Sequence, residues 1–365
     1  MKYDFTSILE RHGKDAIAVD GLGTGFAPSA PKEGFDAIPM WVADMNFPVV
    51  PTIQQEVIAR VQHPAFGYFD PSDEYYNAII QWQARRNGVT GLEKQHIGYE
   101  NGVLGCVASA TAAFTSPGES ILLHSPTYIG FTGVLENCGR NIVLSDLVQD
   151  ENGVWRMDYA DMDRKLKEHN IHFAIFCSPH NPTGRVWTED ELKKTVEICK
   201  KYDKWIICDE IHCDLIRRGV TFTPIMNVAP EYADRIVVCT APSKTFNLAG
   251  MKTSNIVIHN KELQKKWKDY VNGSLSMDGA SALGMTAMIA AYTEGEEWLE
   301  QLKDYLDGNF AYIDEYLKKY LPKAHLVKAE GTYLAWLDLN GYVDRDEKKL
   351  EELMQKKALR SLSVL

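Results

Sequence analysis

The sequence predicts an α/β fold in which a mostly parallel sheet is covered by helices, with a smaller α+β domain at the C-terminal end. The first observation behind this prediction is that short apolar runs alternate with helical patterns from about residue 100 to residue 260. This order is typical of a parallel sheet with helices on both faces. The second observation is a helix–strand–strand–helix order near the C-terminal end, which indicates a second and smaller domain.

Six apolar runs are candidate strands, and each is short enough for a strand that is buried on both faces. They are S-I-L-L-H-S (120–125), N-I-V-L-S (141–145), H-F-A-I-F-C-S (172–178), W-I-I-C-D (205–209), R-I-V-V-C-T (235–240) and N-I-V-I-H (255–259). The stretch 188–202 predicts a helix between two of them. It opens with Thr188 as N-cap and has Glu191 three residues later, which is a capping-box pattern.

The length of 365 residues exceeds what one simple core usually holds and predicts about two domains. Residues 1–47, rich in glycine and proline, predict an N-terminal arm and small-domain segment. We expect the large domain over 48–285 and the small C-terminal domain over 286–365. In the small domain, 296–320 and 345–359 have helical patterns, and 324–339 predicts two strands that turn at Glu330 and Gly331.

Composition and charge exclude several classes of partner. With 39 basic and 50 acidic residues the net charge is −11, so there is no excess of positive charge to bind nucleic acid or an anionic membrane. No run approaches the ~20 apolar residues of a membrane span, and the first ten residues are not an apolar signal segment. The seven cysteines are an odd number without a C-x-x-C pair. They predict buried, reduced thiols and a cytoplasmic protein.

Polar and aromatic side chains follow four of the predicted strands where they end. P-T-Y follows the first strand, P-H-N-P-T-G the third, E-I-H the fourth and A-P-S-K the fifth. Ligands of parallel sheets bind beyond the carboxyl ends of the strands. We therefore expect one site that contains the ring of Tyr128, the amide of Asn181, the carboxylate of Asp209 and the amine of Lys244.

This set of groups is what pyridoxal phosphate requires of a protein. An amine forms a Schiff base with the cofactor aldehyde. A carboxylate keeps the ring nitrogen protonated, an amide donates to the ring oxygen, and an aromatic side chain stacks on the ring. The phosphate needs backbone N–H groups at the start of a helix and basic or hydroxyl partners.

The sequence resembles the class I/II aminotransferase-like enzymes of fold type I. Within them it resembles the cystathionine β-lyase (carbon–sulfur lyase) branch, over nearly the whole chain from Y-D-F at 3–5 to G-T-Y-L-A-W-L-D at 331–338. The markers are M-W-V-A-D-M-N-F (40–47), F-G-Y (66–68), N-G-V-L (101–104), S-P-T-Y (125–128), S-P-H-N-P-T-G (178–184), C-D-E-I-H (208–212) and A-P-S-K-T-F-N-L-A-G (241–250). M-W-V-A-D-M and D-E-I-H favour the lyase branch.

The resemblance implies two central roles. Lys244 would form the Schiff base and, once released, take the substrate α-proton as general base; a surface lysine on a loop is the alternative. Asp209 would pair with the ring nitrogen. Its alternative is a strand-end acid that caps the next turn, and Glu210 is the nearest competitor for the role.

Three further residues would contact the cofactor ring. Asn181 would donate to the ring oxygen, although a turn asparagine before Pro182 is its alternative. Tyr128 would stack on the ring, and a core aromatic is the alternative. His212 occupies the position where related aminotransferases carry a tyrosine that binds the ring oxygen, whereas a lone histidine is more often structural.

For the phosphate, the resemblance implies the backbone amides of Val103 and Leu104, which begin the helix after Gly102. Ser243 and Lys252 would be the side-chain partners, and Lys252 takes the place where several relatives carry an arginine. An ordinary surface lysine is the alternative for Lys252.

A second copy of the chain is the implied protein partner. Tyr68 resembles the tyrosine that reaches the phosphate of the other subunit's cofactor, so the active unit would be a homodimer with shared active sites. Residues 41–45 and Tyr333 would lie near a small amino-acid substrate.

The resemblance implies β-elimination on a sulfur amino acid. Lys244 would remove the α-proton, the Cβ–S bond would break, and thiol, pyruvate and ammonia would form; cystathionine would give homocysteine. The residues alone leave two alternatives. One is an aminotransferase of the same fold, and the other is a weakly active pyridoxal-phosphate-binding protein with a regulatory role.

The C-terminal end K-K-A-L-R-S-L-S-V-L departs from the family pattern. Relatives continue for some tens of residues and carry there an arginine that binds the substrate α-carboxylate. Arg360 comes too early in the pattern and is not assigned this role. We therefore expect a truncated small domain, a carboxylate held by another residue, or weak catalysis.

Overall fold

A computed structural model describes residues 2–25, 27–35, 37–277 and 279–356. The chain forms two compact units, which we call the terminal unit and the sheet unit. The terminal unit takes in Met1–Pro48, Asp304–Val327 and Tyr333–Leu365, and the sheet unit takes in Val49–Lys303 and Lys328–Thr332. The domain boundaries expected from the sequence stay a prediction, and Arg360 lies outside the described residues.

The sheet unit contains an eight-stranded sheet in the order β1-β8-β7-β6-β5-β2-β3-β4. Its strands are β1 (Ile97–Glu100), β2 (Ser120–Ser125), β3 (Asn141–Gln149), β4 (Trp155–Met157), β5 (Ile171–Cys177), β6 (Trp205–Asp209), β7 (Ile236–Thr240) and β8 (Ser254–Ile258). The pairs β2–β3, β2–β5, β5–β6 and β6–β7 are parallel. The pairs β1–β8, β7–β8 and β3–β4 are antiparallel. The predicted mostly parallel sheet is confirmed.

All six predicted strands are present, and the sequence missed β1 and β4 and the second half of β3. In that half of β3, Leu147 is buried whereas its neighbours Asp146 and Val148 are exposed. Such alternation is typical of a strand with one solvated face, and a search for continuous apolar runs does not detect it.

Helices in the described ranges occur in both units. They are α1 (Ile17–Asp20), α2 (Pro51–Gln62), α3 (Asp73–Asn87), α4 (Val103–Phe114), α5 (Ile129–Asn137), α6 (Tyr159–Glu168), α7 (Glu189–Lys201), α8 (Ile225–Val228), α9 (Pro242–Thr245), α10 (Lys261–Lys268), α11 (Ala282–Glu294), α12 (Glu296–Tyr320), α13 (Asn340–Val343) and α14 (Glu347–Lys356). Short 3-10 segments cover Lys94–His96, Pro230–Arg235 and Ala249–Met251, and a π-helical turn covers Asp269–Ser274. None of the described helices combines the length and apolar composition of a membrane span.

The helix predicted from the capping box is α7. The N–H of Glu191 donates to Thr188 Oγ1 (3.3 Å), and the N–H of Thr188 donates to Glu191 Oε2 (2.9 Å). Two N–H groups that have no carbonyl partner inside the helix are thereby satisfied, which confirms the predicted start.

The order of the strands reverses between β2 and β5. From β2 the chain continues outward to β3 and β4, whereas β5, β6 and β7 continue in the other direction. In open α/β sheets such a reversal leaves a crevice beyond the carboxyl ends of the strands, where ligands bind. Tyr128 follows β2 and Asn181 follows β5, so both predicted residues flank this crevice.

One face of the sheet packs on α4, whose start carries the predicted phosphate amides. The strand side chains of this face alternate with a period of two; they include Ile121, Leu123, Phe173, Ile175, Ile207 and Val237. From α4 they meet Val103, Cys106, Val107 and Ala110. This apolar packing fixes the position of the first turn of α4 on the sheet.

The segment 324–339 forms shorter strands than predicted. In the terminal unit, only β9 (His325–Leu326) and β10 (Leu337–Asp338) pair among its described residues, and they are antiparallel. The predicted turn residues Glu330 and Gly331 belong to the sheet unit, where their N–H groups donate to the carbonyl of Gly184 (2.8 and 2.9 Å). Their hydrogen bonds therefore go to another loop and not to a hairpin partner.

Candidate active site

Four predicted side chains lie at one edge of the sheet, beyond the carboxyl ends of four adjacent strands. Tyr128 is the N-cap of α5 after β2, and Asn181 follows β5. Asp209 is the last residue of β6, and Lys244 lies in the single turn α9 after β7. The sequence-based expectation that the four strand ends converge agrees with this topology.

Asp209 is a buried carboxyl close to Lys244. It is 4% exposed, and burial raises its pKa to about 7. The N–H of Ile211, 2.9 Å from Asp209 Oδ1, and the positive charge of Lys244 act in the opposite direction on this pKa. Ionisation of Asp209 in the fold therefore costs free energy, and a further cation nearby would lower that cost.

His212 and Tyr128 lie near the same pair. His212 is 2% exposed, and burial together with the charge of Lys244 lowers its pKa to about 3, so its imidazole is neutral at pH 7. Burial, Asp209 and Cys177 raise the pKa of Tyr128. The ring of Tyr128 packs edge-to-face on Phe131, with centroids 5.5 Å apart. These interactions bring Tyr128, Asp209, Lys244 and His212 into one electrostatic neighbourhood.

The loop that carries Asn181 is held by polar side chains that the sequence analysis did not assign. The imidazole Nδ1 of His180 and the Thr183 hydroxyl form a hydrogen bond of 2.9 Å. The buried guanidinium of Arg185 donates to both carboxylate oxygens of Glu191 at 2.9 and 2.7 Å. The signal was the cluster of His, Thr and Arg around Asn181 in P-H-N-P-T-G-R, a stretch whose sequence predicts only a turn.

Gly184 closes this loop, and replacing it by alanine is expected to destabilise the protein by roughly 2–4 kcal/mol. Gly184 has a φ of +69°, and a Cβ there would lie 2.5 Å from the Cβ and 2.9 Å from the Cα of Ala329. Urea unfolding measures the decrease in the free energy of unfolding. Gly153→Ala is the matched control, because Gly153 has a φ of +73° with nothing within 4 Å of its Cβ position. Equal losses in the two variants would contradict the packing argument.

The protein groups that are predicted to bind the cofactor phosphate lie where α4, β1 and β8 meet. Val103 and Leu104 begin α4, whose N-cap Gly102 has a φ of 101°. The N–H of Gly102 donates to Ser254 Oγ (3.1 Å), and Ser254 Oγ donates to the carbonyl of Glu100 (3.0 Å). The first N–H groups of a helix have no carbonyl partner within it, so the start of α4 presents donors to an anion. Sequence reasoning missed Ser254.

Ser243 and Lys252 are carried by neighbouring segments. Ser243 is buried in α9, next to Lys244. Lys252 is exposed two residues before Ser254 and has a φ of 51°, and its carbonyl accepts a hydrogen bond from the Tyr99 hydroxyl (2.6 Å). The two side chains therefore come from the ends of β7 and the start of β8, which are adjacent strands.

Tyr68 lies on a solvated segment of the sheet unit. Residues 61–70 are all exposed, and Tyr68 contributes to the lining of a cavity of about 610 Å³ together with Asn101 and Met277. In the terminal unit, the Tyr333 hydroxyl donates to the carbonyl of Ala43 (2.8 Å). Tyr333 therefore contacts Ala43, and the placement of Tyr333 and residues 41–45 near the substrate stays a prediction.

Comparison with known proteins identifies relatives of this chain. The family described as "Aminotransferase class I and II" matches residues 41–362. Cystathionine beta-lyase PatB of Bacillus subtilis (strain 168) is 33% identical over 353 residues, which cover 97% of this chain and 89% of PatB.

Two solved structures have the same fold over nearly the whole chain. The C-S lyase from Staphylococcus hominis, solved with bound PLP, superposes with a TM-score of 0.89 at 33% identity and covers 98% of this chain and 89% of its own. Cystalysin from Treponema denticola, which contains a pyridoxal 5'-phosphate cofactor, gives a TM-score of 0.91 at 31% identity, with 97% and 88% covered. The aminotransferase fold type I expected from the sequence is confirmed, and the chain belongs to the aminotransferase class I and II family.

Proposed function

We propose that this chain is a pyridoxal-phosphate-dependent β-lyase that acts on sulfur amino acids such as cystathionine and gives a thiol, pyruvate and ammonia. The observation that carries the proposal is the buried carboxyl of Asp209 within the field of Lys244, at the carboxyl edge of a parallel sheet. The cystathionine β-lyase and C-S lyase relatives, at 33% identity over nearly the whole chain, support the choice of β-elimination.

The residues at this edge fit pyridoxal phosphate. The pKa of Asp209 is raised to about 7 by burial, and a cationic ring nitrogen would stabilise its ionised form. Tyr128 supplies an aromatic face and Asn181 an amide donor. The imidazole of His212 is a neutral partner for the ring oxygen. Each of these groups has chemistry suited to one part of the ring.

The phosphate fits the start of α4. We assign it to the N–H groups of Val103 and Leu104, to the hydroxyl of Ser243 and to the ammonium of Lys252. Oriented N–H groups and one cation together suit a dianion.

Lys244 Nζ has two tasks in this proposal. When bound, pyridoxal phosphate supplies an aldehyde that condenses with amines and a protonated ring that withdraws electrons from the substrate α-carbon. Lys244 holds the cofactor in the resting enzyme and, when released from it, removes the proton from the substrate α-carbon. The Cβ–S bond then breaks with its electron pair on sulfur, the thiolate takes up a proton, and water completes the release of pyruvate and ammonia.

The experiment that tests the proposal is pyruvate release from L-cystathionine by the purified chain loaded with pyridoxal phosphate. Transfer of the amino group to a 2-oxo acid is measured in parallel. We expect steady pyruvate release with little transfer. The reverse result would favour the aminotransferase alternative, and neither reaction with the cofactor bound would favour a binding protein.

We propose further that two copies of the chain share their active sites. Tyr68 lies in the exposed segment 61–70, and its neighbours Phe66 and Phe69 are exposed aromatic residues as well. A second copy that covers this segment would remove apolar surface from water. Tyr68 would then reach the phosphate in the partner's site.

Mixing variants that each lack a different part of the site is expected to restore activity if the sites are shared. Lys244→Ala and Tyr68→Ala are denatured together and refolded, and pyruvate release is measured. Random pairing makes half of the dimers mixed, each with one intact site, so roughly a quarter of the wild-type activity returns. Activity no higher than the sum of the separate variants, in a preparation that sediments as a dimer, would contradict shared sites.

We also propose a cytoplasmic location. The seven cysteines carry thiols and not disulfides, and six of them are buried. Reduced thiols are typical of proteins in a reducing compartment. Fractionation of the source cells with detection of the chain tests this location.

A further inference from the structure

We infer that Asp214 is a positioning residue for Lys244 and acts through the hydroxyl of Thr245. The inference rests on the proposed role of Lys244 as the cofactor anchor. Sequence analysis did not single out either residue, although Asp214 is the second aspartate of the D-E-I-H-C-D stretch.

A buried hydrogen bond joins the two residues. Thr245 follows Lys244 in α9 and is 0% exposed, and its Oγ1 donates to Asp214 Oδ2 at 2.9 Å. Asp214 is 4% exposed, and Trp82 Nε1 donates to its two carboxylate oxygens at 3.2 and 3.1 Å. Two neutral donors from different elements therefore fix the orientation of this carboxyl.

The turn that carries Lys244 needs such an anchor. α9 has four residues, and its N-cap Ala241 provides no side-chain hydrogen bond. A single helical turn is not stable on its own, because few hydrogen bonds offset the loss of backbone freedom. The direction in which Lys244 points therefore depends on how the neighbouring side chains attach the turn to the rest of the sheet unit.

A second contact of the turn involves the same tryptophan. Phe246 is fully buried, and its ring centroid lies 5.6 Å from that of Trp82 and 5.9 Å from that of Trp298. Trp82 in turn stacks on Tyr292, with centroids 5.1 Å apart. Trp82 thus holds the turn twice, through the ring of Phe246 and through Asp214.

The carboxyl of Asp214 orients the Lys244 turn through a hydrogen bond and not through its charge. Burial raises its pKa, and the bonds from Thr245 and Trp82 and the charges of Arg86 and Lys303 oppose this shift. These two cations come from α3 and α12 and not from the turn. The contact between Asp214 and the Lys244 turn is the hydrogen bond to Thr245.

The same geometry predicts how substitutions differ. Asp214 Oδ2 accepts from both Trp82 (3.1 Å) and Thr245 (2.9 Å), so an amide oxygen at this position in Asp214→Asn can keep the bond from Thr245. Its NH2 group then replaces Oδ1, which accepts from Trp82 at 3.2 Å, so the contact with Trp82 is weakened. Asp214→Ala loses both of them. Thr245→Val keeps the shape of the side chain and loses only the bond to Asp214, whereas Thr245→Ser keeps the hydroxyl.

The test measures how fast pyridoxal phosphate attaches covalently to cofactor-free protein. Attachment is followed by absorbance, and borohydride reduction with peptide mapping locates it at residue 244. We expect attachment about 10- to 100-fold slower in Thr245→Val and Asp214→Ala, because a reacting amine displaced by about 1 Å loses this much rate. Thr245→Ser should stay near the wild-type rate, and Asp214→Asn should be faster than Asp214→Ala because it keeps the bond from Thr245. The variant with both Asp214→Ala and Thr245→Val should be no slower than Asp214→Ala alone.

Thr195→Val is the matched control. Thr195 is 0% exposed, and its hydroxyl donates to the carbonyl of Glu191 at 3.0 Å within α7. We expect it to lower the urea midpoint as Thr245→Val does but to leave the attachment rate unchanged. A Thr245→Val protein that attaches the cofactor at the wild-type rate overturns the inference, even if Asp214→Ala fails to fold. A wild-type chain that does not attach it at Lys244 overturns the proposed function and the inference together.

Discussion

Replacing Lys244 by alanine is expected to lower pyruvate release from L-cystathionine by at least about 10⁴-fold. The variant loses both the covalent attachment of the cofactor and the base at the α-carbon. Lys244 is the amine whose charge acts on Asp209 and His212. The measurement is the initial rate of pyruvate release, together with the absorbance of the bound cofactor.

The variant should still fold and bind the cofactor noncovalently, because Asp209, Tyr128 and the start of α4 are unchanged. A small primary amine added to the assay should restore part of the activity by replacing the missing base. Lys193→Ala, which removes an exposed lysine of α7 paired with Glu189 at 2.5 Å, is the control and should retain full activity. Covalent attachment in Lys244→Ala comparable to that of the wild type would refute the assignment.

Replacing Asp209 by asparagine is expected to stabilise the cofactor-free protein at pH 8 while it removes activity. The carboxyl of Asp209 has a pKa of about 7 in the fold and about 3.9 when unfolded. Between these pH values the folded state binds more protons than the unfolded state, so the free energy of unfolding falls as the pH rises. Asparagine does not ionise and avoids this loss of stability. The free energy of unfolding of Asp209→Asn should therefore exceed that of the wild type by an amount that grows from pH 4 to a plateau of about 4 kcal/mol above pH 7.

The measurement is urea unfolding of both cofactor-free proteins between pH 4 and pH 8. Glu210→Gln is the control, since burial raises the pKa of Glu210 to about 7 as well. Glu210 Oε1 accepts the N–H of Ile225 at 2.9 Å, so we assign this residue to the structure and not to the ring nitrogen. Glu210→Gln should therefore show a similar gain in stability and keep activity. Loss of activity in Glu210→Gln, with activity kept in Asp209→Asn, would exchange the two roles.

The main features of the fold could be predicted because they depend on local pattern. The apolar runs that became β2, β5, β6 and β7 are buried on both faces, so each is visible as an uninterrupted stretch. β4 has three residues, W-R-M, and the end of β3 alternates buried and exposed positions. These two segments pair with each other as an antiparallel hairpin. They were missed because one is very short and the other alternates, so neither forms a continuous apolar run.

The candidate site likewise has residues that the sequence predicts and contacts that it does not predict. Tyr128, Asn181, Asp209 and Lys244 could be predicted because each lies within a few residues of a strand end. The contact of Thr245 with Asp214, and that of Glu330 and Gly331 with Gly184, join residues far apart in the chain. Their side chains and backbone groups have ordinary local sequence contexts, so no spacing or period reveals the partners. Tertiary packing decides which of these groups meet.

The antiparallel strand β8 has a consequence for how the protein is made. Thr240 at the end of β7 pairs with Asn255 near the start of β8, and Glu100 pairs with Ser254. The edge that carries Lys244 is therefore completed by the strand of the sheet that the ribosome delivers last. A nascent chain that has not yet exposed β8 lacks the Gly102–Ser254 hydrogen bond and the Lys252 side chain. The cofactor would therefore bind only after β8 has paired with β1 and β7, so cofactor binding would indicate when this sheet is complete during synthesis.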